Sequence, residues 1–535
     1  MLDTLIRGAK VLDGSGTPAV LADVGISAGK IEAVGNLELA HAVRVVSADG
    51  LIVSPGFIDM HQHSDFSLLI ARHAESAIGQ GVTTLVTGNC GSSCAPVRDR
   101  ELVKMSLFGY SSSWGHEVSW RSYGEYLDQV RKPGVAVNVF PLVGHGTVRI
   151  AVMGYANRLP TESELGNMKA LVAEALQQGA GGFSTGLEYS PGHYADAREL
   201  LELCKVAADH GAFYSTHIRN RGPDFVIAVE EALSIAASSG LPMQLSHLAP
   251  RPYAPAGAFA QVLRLVDEAR AKGVRVHFDT LLDLWGPGPV ASLLPPWICE
   301  AHPRKVVQRL LDSKIRVSIR EYFDRPTNYL LRTGGWESLV LVTAPGHKGW
   351  VGKSLAEIAA IQGTDDMATV VCDILLAEGE DFGCVWLRHI YVREEDLYEL
   401  LRQPDCMVMT DGCLSAPYGV MADYTLNPST YGLTACLLGR YVRDEHVLTL
   451  EDAVRRLTSL PAQHLGLKDR GLIKKGMWAD LVIFDSGTIQ DNTTYEHPDR
   501  FPTGIEYVLV NGQVALENGR HSDVLTGQLL RRSLP

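Results

Sequence analysis

Eight short apolar runs, each closing on a glycine or a polar residue just before a loop, constrain this chain more than any other feature. They are FIDMHQH (57–63), VTTLVTGNC (82–90), VAVNVFPLVG (135–144), GFSTGLE (182–188), AFYSTH (212–217), PMQLSH (242–247), VRVHFD (274–279) and DCMVMTD (405–411). Helix-patterned stretches such as TESELGNMKALVAEALQQG, AVEEALSIAASSG and AFAQVLRLVDEARAKG stand between them. Strands alternating with such helices build a parallel sheet. Eight units make the α/β (β/α)8 TIM barrel, whose chemistry sits at the C-terminal ends of the strands. The polar residues at those ends are therefore the candidate site.

The two chain ends have a different texture. The first fifty residues and the last sixty read as short strands with turns, and Asn511-Gly512 between apolar runs is a strong hairpin signal. We expect residues 1–54 with 466–535 to form a small β-sandwich domain and residues 55–465 to form the barrel. The Gly-rich, β-like stretch 317–352 reads as a subdomain inserted after the seventh strand, serving either as a lid over the mouth or as an interface.

Composition removes several classes of partner. Lys+Arg 48 against Asp+Glu 61 gives a net charge of −13 with no basic run, which lacks the footprint for a nucleic-acid backbone or an anionic membrane. No apolar stretch reaches the roughly eighteen residues of a membrane span. The opening MLDTLIRGAKVLDG lacks the basic-then-apolar signal pattern. Nine scattered cysteines suit reduced thiols better than a disulfide framework. These features predict a cytoplasmic enzyme acting on a small molecule, and they leave homo-oligomer formation open.

His61 and His63 lie two apart on the first run, so both face one side of the strand. Cys90 follows His61 by 29 residues, His217 follows Glu188 by 29, and His247 comes 30 later, each step about one β/α unit. A His-x-His pair alone equally suits buried structural histidines. Strand-end histidines, a thiol, a carboxylate and Asp411, all in phase, point instead to a metal site, and imidazole with thiolate favours Zn²⁺, one ion or two. Cys94 competes with Cys90. Glu188 reads as a bridging ligand, a substrate contact or a salt-bridged acid. Asp411, in a Thr-Asp-Gly turn, is expected to ligate and to shuttle the proton from a zinc-activated hydroxide to the leaving nitrogen.

SPGFIDMHQHSD, the strand-end His217 and His247, Asp411 and the paired β-rich ends resemble the amidohydrolase superfamily. GVTTLVTGNCGSSCAP, GHGTVR, GFSTGLEYSPG, THIRNRG and the stretch from LTLEDAVRRLTSLPAQHLG to ADLVIFD are similar to the N-acyl-D-amino-acid deacylase (D-aminoacylase) family, over about residues 3 to 520. The resemblance implies zinc held by His61, His63, Cys90, His217 and His247, with Asp411 catalytic. It also implies a Lys, an Asp-x-Tyr-Pro-Tyr run and an Arg, of which the Lys, Tyr and Arg clamp the substrate carboxylate, but this chain has Ala249, Asp279-Thr280-Leu281-Leu282 and Ser429 there. Arg219 and Arg251 are the nearby cations. We therefore expect an amidohydrolase with a weakened need for an α-carboxylate, with Tyr189, Arg219, Leu282, Trp285 and Ser429 as substrate contacts. A cyclic amide, carbamate or urea hydrolase, an amide-forming acyl transferase and an inactive metal-binding scaffold are the alternatives. The presence of Asp411 argues against the last.

Overall fold

In the computed structural model, which describes residues 1–532 apart from 109, 326, 327, 329 and 423, the eight runs form one eight-stranded sheet in sequence order. The strands are Phe57–Asp59, Val82–Thr87, Asn138–Gly144, Gly182–Gly186, Phe213–His217, Met243–Leu245, Val276–Thr280 and Cys406–Val408. Every neighbouring pair is parallel. A parallel bridge between Gln62 and Gly412 joins the first unit to the eighth, with the Asp411 N–H donating to the His61 carbonyl at 3.1 Å and the His63 N–H to the Gly412 carbonyl at 2.8 Å. This is the expected barrel. Several strands stop short of the polar residues that close their runs, so those residues sit on the loops at the mouth.

Local sequence explains the units. The helix Glu162–Gln178 starts at a capping box in which Thr161 and Glu164 satisfy each other's backbone N–H groups. It buries Leu165, Met168, Leu171, Val172, Ala175 and Leu176 along one face. The second strand, Val82–Thr87, is buried throughout and ends at Gly88, whose φ is +78° and where a Cβ would lie 2.0 Å from the Leu142 carbonyl oxygen, so no side chain is admitted.

The two chain ends combine in a nine-stranded mixed sheet, in which Ile52–Pro55 pairs parallel to Leu2–Val11 and antiparallel to Leu481–Phe484. Ile6, Val24, Val46, Leu481, Ile483 and Leu509 belong to its core. Asn511 and Gly512, both at positive φ, turn the hairpin between Ile505–Val510 and Gln513–Glu517. The tail beyond this sheet returns to the barrel, where the Leu530 N–H donates to the Val139 carbonyl at 2.7 Å.

The insertion differs from its expected form. Residues 317–323 lie inside a helix, Ser313–Phe323, and the inserted body runs from the strand Trp285–Pro289 to the strand Trp386–Ile390. These two strands and Val340–Thr343 make a three-stranded antiparallel sheet. Val317 and Ile319 suggest a strand locally. Tertiary packing overrides that preference, because Ile315, Ile319 and Phe323 at four-residue spacing face the insertion's own core with Val306, Val370 and Leu387. Arg316 and Arg320 pair with Asp373 and Asp366 beside the neighbouring helix Met367–Leu376.

Candidate metal centre

The loops that follow the strands gather the ionisable groups. Cys90, His247 and Asp411 are three of only eight non-glycine residues with positive φ among the described residues. Such a conformation costs about 1–3 kcal/mol each and persists where the surroundings over-determine it. Here it turns three strand-end side chains towards one point.

Cys90 Sγ lies 3.2 Å from His61 Nε2, 3.5 Å from His247 Nε2 and 3.7 Å from His217 Nδ1. Two ligands of one tetrahedral zinc, at about 2.3 Å for sulfur and about 2.0 Å for nitrogen, stand roughly 3.5 Å apart. Asp411 Oδ1 lies 3.1 Å from His63 Nε2 and 3.3 Å from His61 Nε2. Two ligand groups thus share His61. One is His61, Cys90 and His247, the other is His61, His63 and Asp411, and within each the ligand atoms lie within 4.8 Å of one another. His217 stands beside the first group, 3.7 Å from Cys90 Sγ and with its ring 4.3 Å from that of His247.

The electrostatics match this donor set. Burial holds His61 down to about 3 and keeps His217 and His247 below the ordinary imidazole value, so all three stay neutral, the form that binds metal. Burial also pushes the Cys90 thiol up, with the Asp411 carboxylate adding to it; the Tyr189 hydrogen bond and the Arg221 charge work against this, and a bound cation would offset it further. Burial works against ionised Asp411 too, but the His63 contact and the nearby His61 and His217 rings hold it below the usual carboxylate range.

A second layer fixes the first. Asp279 Oδ1 accepts from the His247 N–H at 2.5 Å, and its Oδ2 accepts from Gln244 at 2.9 Å and lies 3.9 Å from His61 Nδ1. Asp59 accepts from Gln62 at 2.6 Å, from the Thr410 hydroxyl at 2.7 Å and from the His61 N–H at 3.2 Å, tying the first and eighth loops together. Burial raises Asp279 to about 7 and Asp59 to about 6.

Glu188 falls outside both ligand groups. Its Oε2 lies 2.9 Å from His217 Nε2 and accepts from Arg251 at 2.6 Å. The Tyr189 hydroxyl lies 3.3 Å from His217 Nδ1. Arg219 is committed to the Glu231 carboxylate and to the His193 and Ala195 carbonyls. Leu282 sits in the barrel core, Trp285 packs beside Tyr495 and Arg388, and the Ser429 hydroxyl donates to Asp283 at 2.5 Å. These last three line neither of the two cavities at the centre.

A small cavity of about 50 Å³ lies over the centre, bounded by His63, Cys90, Glu188, His217, His247 and Asp411, by Arg221 and Arg251, and by His389 and Tyr391. Arg221 donates to the His247 carbonyl at 3.1 Å and lies over the Tyr391 ring, while Arg251 stands 3.5 Å from His389. Sequence reading overlooked Arg221 and His389. Arg221 had a signal, since it stands four residues after His217 just as Arg251 stands four after His247. His389 had none, because it arrives from the insertion. A larger cavity of about 440 Å³ adjoins, and the two share Cys90, Phe108, Glu188, Tyr189, Pro289 and Trp386.

Known proteins bear on this geometry. The amidohydrolase family profile matches residues 44–312 and 337–516. The chain is similar to an N-acyl-D-glutamate deacylase of Alcaligenes xylosoxydans xylosoxydans, 34% identical over 99% of this chain and 97% of that one. It is 32% identical to a D-aminoacylase of the same organism, over 99% and 98%. The crystal structure of the N-acyl-D-glutamate deacylase from Bordetella bronchiseptica, complexed with zinc and a phosphonate mimic of the tetrahedral intermediate, superposes with a TM-score of 0.80 at 30% identity, over 99% of both chains.

Proposed function

We propose, from the premise that this chain belongs to the amidohydrolase family and to its N-acyl-D-amino-acid deacylase branch, that it hydrolyses a linear N-acyl amine or N-acyl-D-amino-acid-like amide to a carboxylic acid and an amine. The chain is a hydrolase of carbon–nitrogen bonds other than peptide bonds. The observation that carries our reading is the placement of Asp411, 3.1–3.3 Å from two of the candidate ligand rings. His61, His63, Cys90, His217 and His247 would hold one or two zinc ions, with Asp411 as a further ligand. Zinc, when bound, acidifies a coordinated water and polarises the substrate carbonyl.

The rest falls to this chain's own groups. Asp411 accepts a proton as the water oxygen adds to the carbonyl carbon, and returns it to the nitrogen as the C–N bond breaks. Asp59 and Asp279 hold the His61 and His247 loops in place, and Glu188 holds His217. The Tyr189 hydroxyl meets the substrate where the two cavities join. Ala249 and Ser429 bring no charge to the mouth, and Glu188 neutralises Arg251, which supports a weakened demand for an α-carboxylate. Nine thiols, none in a disulfide, and the acidic balance fit a small-molecule enzyme of a reducing compartment such as the cytoplasm. No described helix is long and apolar enough to cross a membrane.

Asp411→Asn tests the reading. The turnover number should fall by about 10²–10⁴-fold with zinc retained on elemental analysis, whereas an unchanged rate would remove Asp411 from the proton path.

A further inference from the structure

A third cavity, of about 630 Å³, lies apart from the metal centre and shares no lining residue with the two cavities there. Its volume is that of a small-molecule site. Three parts of the chain close it. Ser111, Ser113 and Trp114 come from the loop after the second barrel strand, and Val420, Tyr424 and Thr425 from the loop after the eighth. The insertion brings the strand Val340–Thr343 and Arg388, and the small domain brings residues 495–499, from the segment between Leu481–Phe484 and Ile505–Val510. Arg388 and His389 are neighbours on the strand Trp386–Ile390, yet Arg388 lines this cavity and His389 the metal centre, because successive side chains of a strand point to opposite faces.

The charges in this cavity are unmatched. The half-buried Arg388 guanidinium lies over the Tyr495 ring at 4.3 Å and the Trp285 ring at 5.7 Å, and among the described residues it meets no carboxylate or carbonyl acceptor. Elsewhere in the insertion Arg316 and Arg320 each close on an aspartate. A guanidinium stacked on aromatic faces keeps its edge N–H groups for a planar carboxylate. Glu496 and Asp499 also line the cavity, and Glu496 is near enough to act on Arg388 through its charge, but among the described residues neither acid pairs with Arg388 directly. The remaining wall is aromatic and aliphatic, with Trp114 and Tyr424 buried edge to face at 4.8 Å beside Val340 and Val351. A cation and an acid that share a cavity without touching are joined by a ligand that carries both charges itself. We propose that this cavity is a second ligand site, for a small zwitterion of the α-amino-acid type with an aromatic or branched apolar side chain. Its carboxylate meets Arg388, its ammonium group meets Glu496, and its side chain lies against Trp114 and Tyr424. The site is separate from the metal centre, so its occupant does not compete with the amide.

Calorimetric titration of the zinc-loaded full chain tests the proposal with three probes. Phenylalanine carries both charges, hydrocinnamate lacks only the ammonium group, and phenethylamine lacks only the carboxylate. Phenylalanine should bind at least about tenfold more tightly than either analogue, the factor that one hydrogen bond to a charged group supplies. No binding of phenylalanine, or equal affinity for an analogue with one charge, would overturn the proposal. Two variants then locate the site. Arg388→Gln should erase the preference for phenylalanine over phenethylamine, and Glu496→Gln the preference over hydrocinnamate, each by weakening phenylalanine at least about tenfold. Neither residue lines the cavities at the metal centre, so phenylalanine binding that both variants leave unchanged would put the amino acid on the zinc and contradict the assignment. Glu496 is exposed, so its variant decides the matter if Arg388→Gln does not fold. These titrations involve no turnover, and their outcome is readable whether or not any amide is hydrolysed.

Discussion

The barrel end and the inserted body meet at the same cavities but are stabilised by opposite means. The barrel end buries His61, His217, His247, Asp279 and Arg251, with Glu188 and Asp411 half-buried against them. Such groups are costly to bury and are tolerated when each has a partner or a metal. The insertion is held by an ordinary apolar core, with Val306, Ile319, Val370 and Leu387 all fully buried. Chemistry is thus concentrated where the fold pays for it, and shape is supplied by a body that can change without disturbing that chemistry. His389 and Trp386, on the insertion strand that lines the mouth, mark where the two meet.

The largest effect on this contrast should come from Arg251→Met. It leaves the buried Glu188 carboxylate without its guanidinium, which costs about 3–5 kcal/mol when one partner of a buried pair is removed. The loss should depend on pH in a set direction. In the natural chain Arg251 and His217, against the cost of burial, hold Glu188 well below its ordinary value of 4.5, so the stabilisation is fully present above 4.5 and is lost only as pH falls from there through the depressed folded value. The variant should therefore fall furthest behind the natural chain near pH 7 and close the gap progressively as pH drops below about 4.5 in denaturant titrations. A pH-independent difference would show that the pair is not what holds the mouth.

Leu387→Ala should act on the other side of the contrast. Removing a fully buried leucine leaves a cavity costing about 2–5 kcal/mol. Hydrogen exchange should show faster opening within residues 285–390 while the barrel strands stay protected, because the lost contacts lie in the insertion's own core. Uniform loss of protection would mean that the two bodies unfold as one. The smallest effect concerns the substrate's charge. Paired N-acyl-D-amino acids and their uncharged amides should differ by less than about tenfold in kcat/KM, roughly 1.4 kcal/mol, since Arg251 is neutralised and positions 249 and 429 carry no cation. A preference of a hundredfold or more for the acids would show that Arg221 clamps a carboxylate.

Much of the barrel was legible because each β/α unit takes about thirty residues, so the intervals from His61 to Cys90, from Glu188 to His217 and on to His247 mark successive strand ends. The convergence of these groups followed from that spacing. Their exact aim did not, since it depends on the positive φ at Cys90, His247 and Asp411, which neighbouring sequence does not dictate. The part played by Glu188 was equally hidden, because Arg251, 63 residues away, decides it. Leu282 and Trp285 looked like pocket walls for being apolar just past a strand end, but the chain turns there into the insertion and packs them elsewhere. At 317–323, β-branched residues favoured a strand until a neighbouring helix supplied both the apolar surface and the acids for Arg316 and Arg320.

The central claim is that the barrel end holds zinc through a thiolate and imidazoles, with Asp411 beside it. Diffraction from crystals of the zinc-loaded protein, recorded on both sides of the zinc absorption edge, tests this most directly. We predict an anomalous peak about 2.3 Å from Cys90 Sγ and about 2.0 Å from His61 Nε2, with Asp411 within reach of the same ion or of a second. A peak elsewhere, or full activity in crystals and solution from which every zinc ion has been removed, would contradict it.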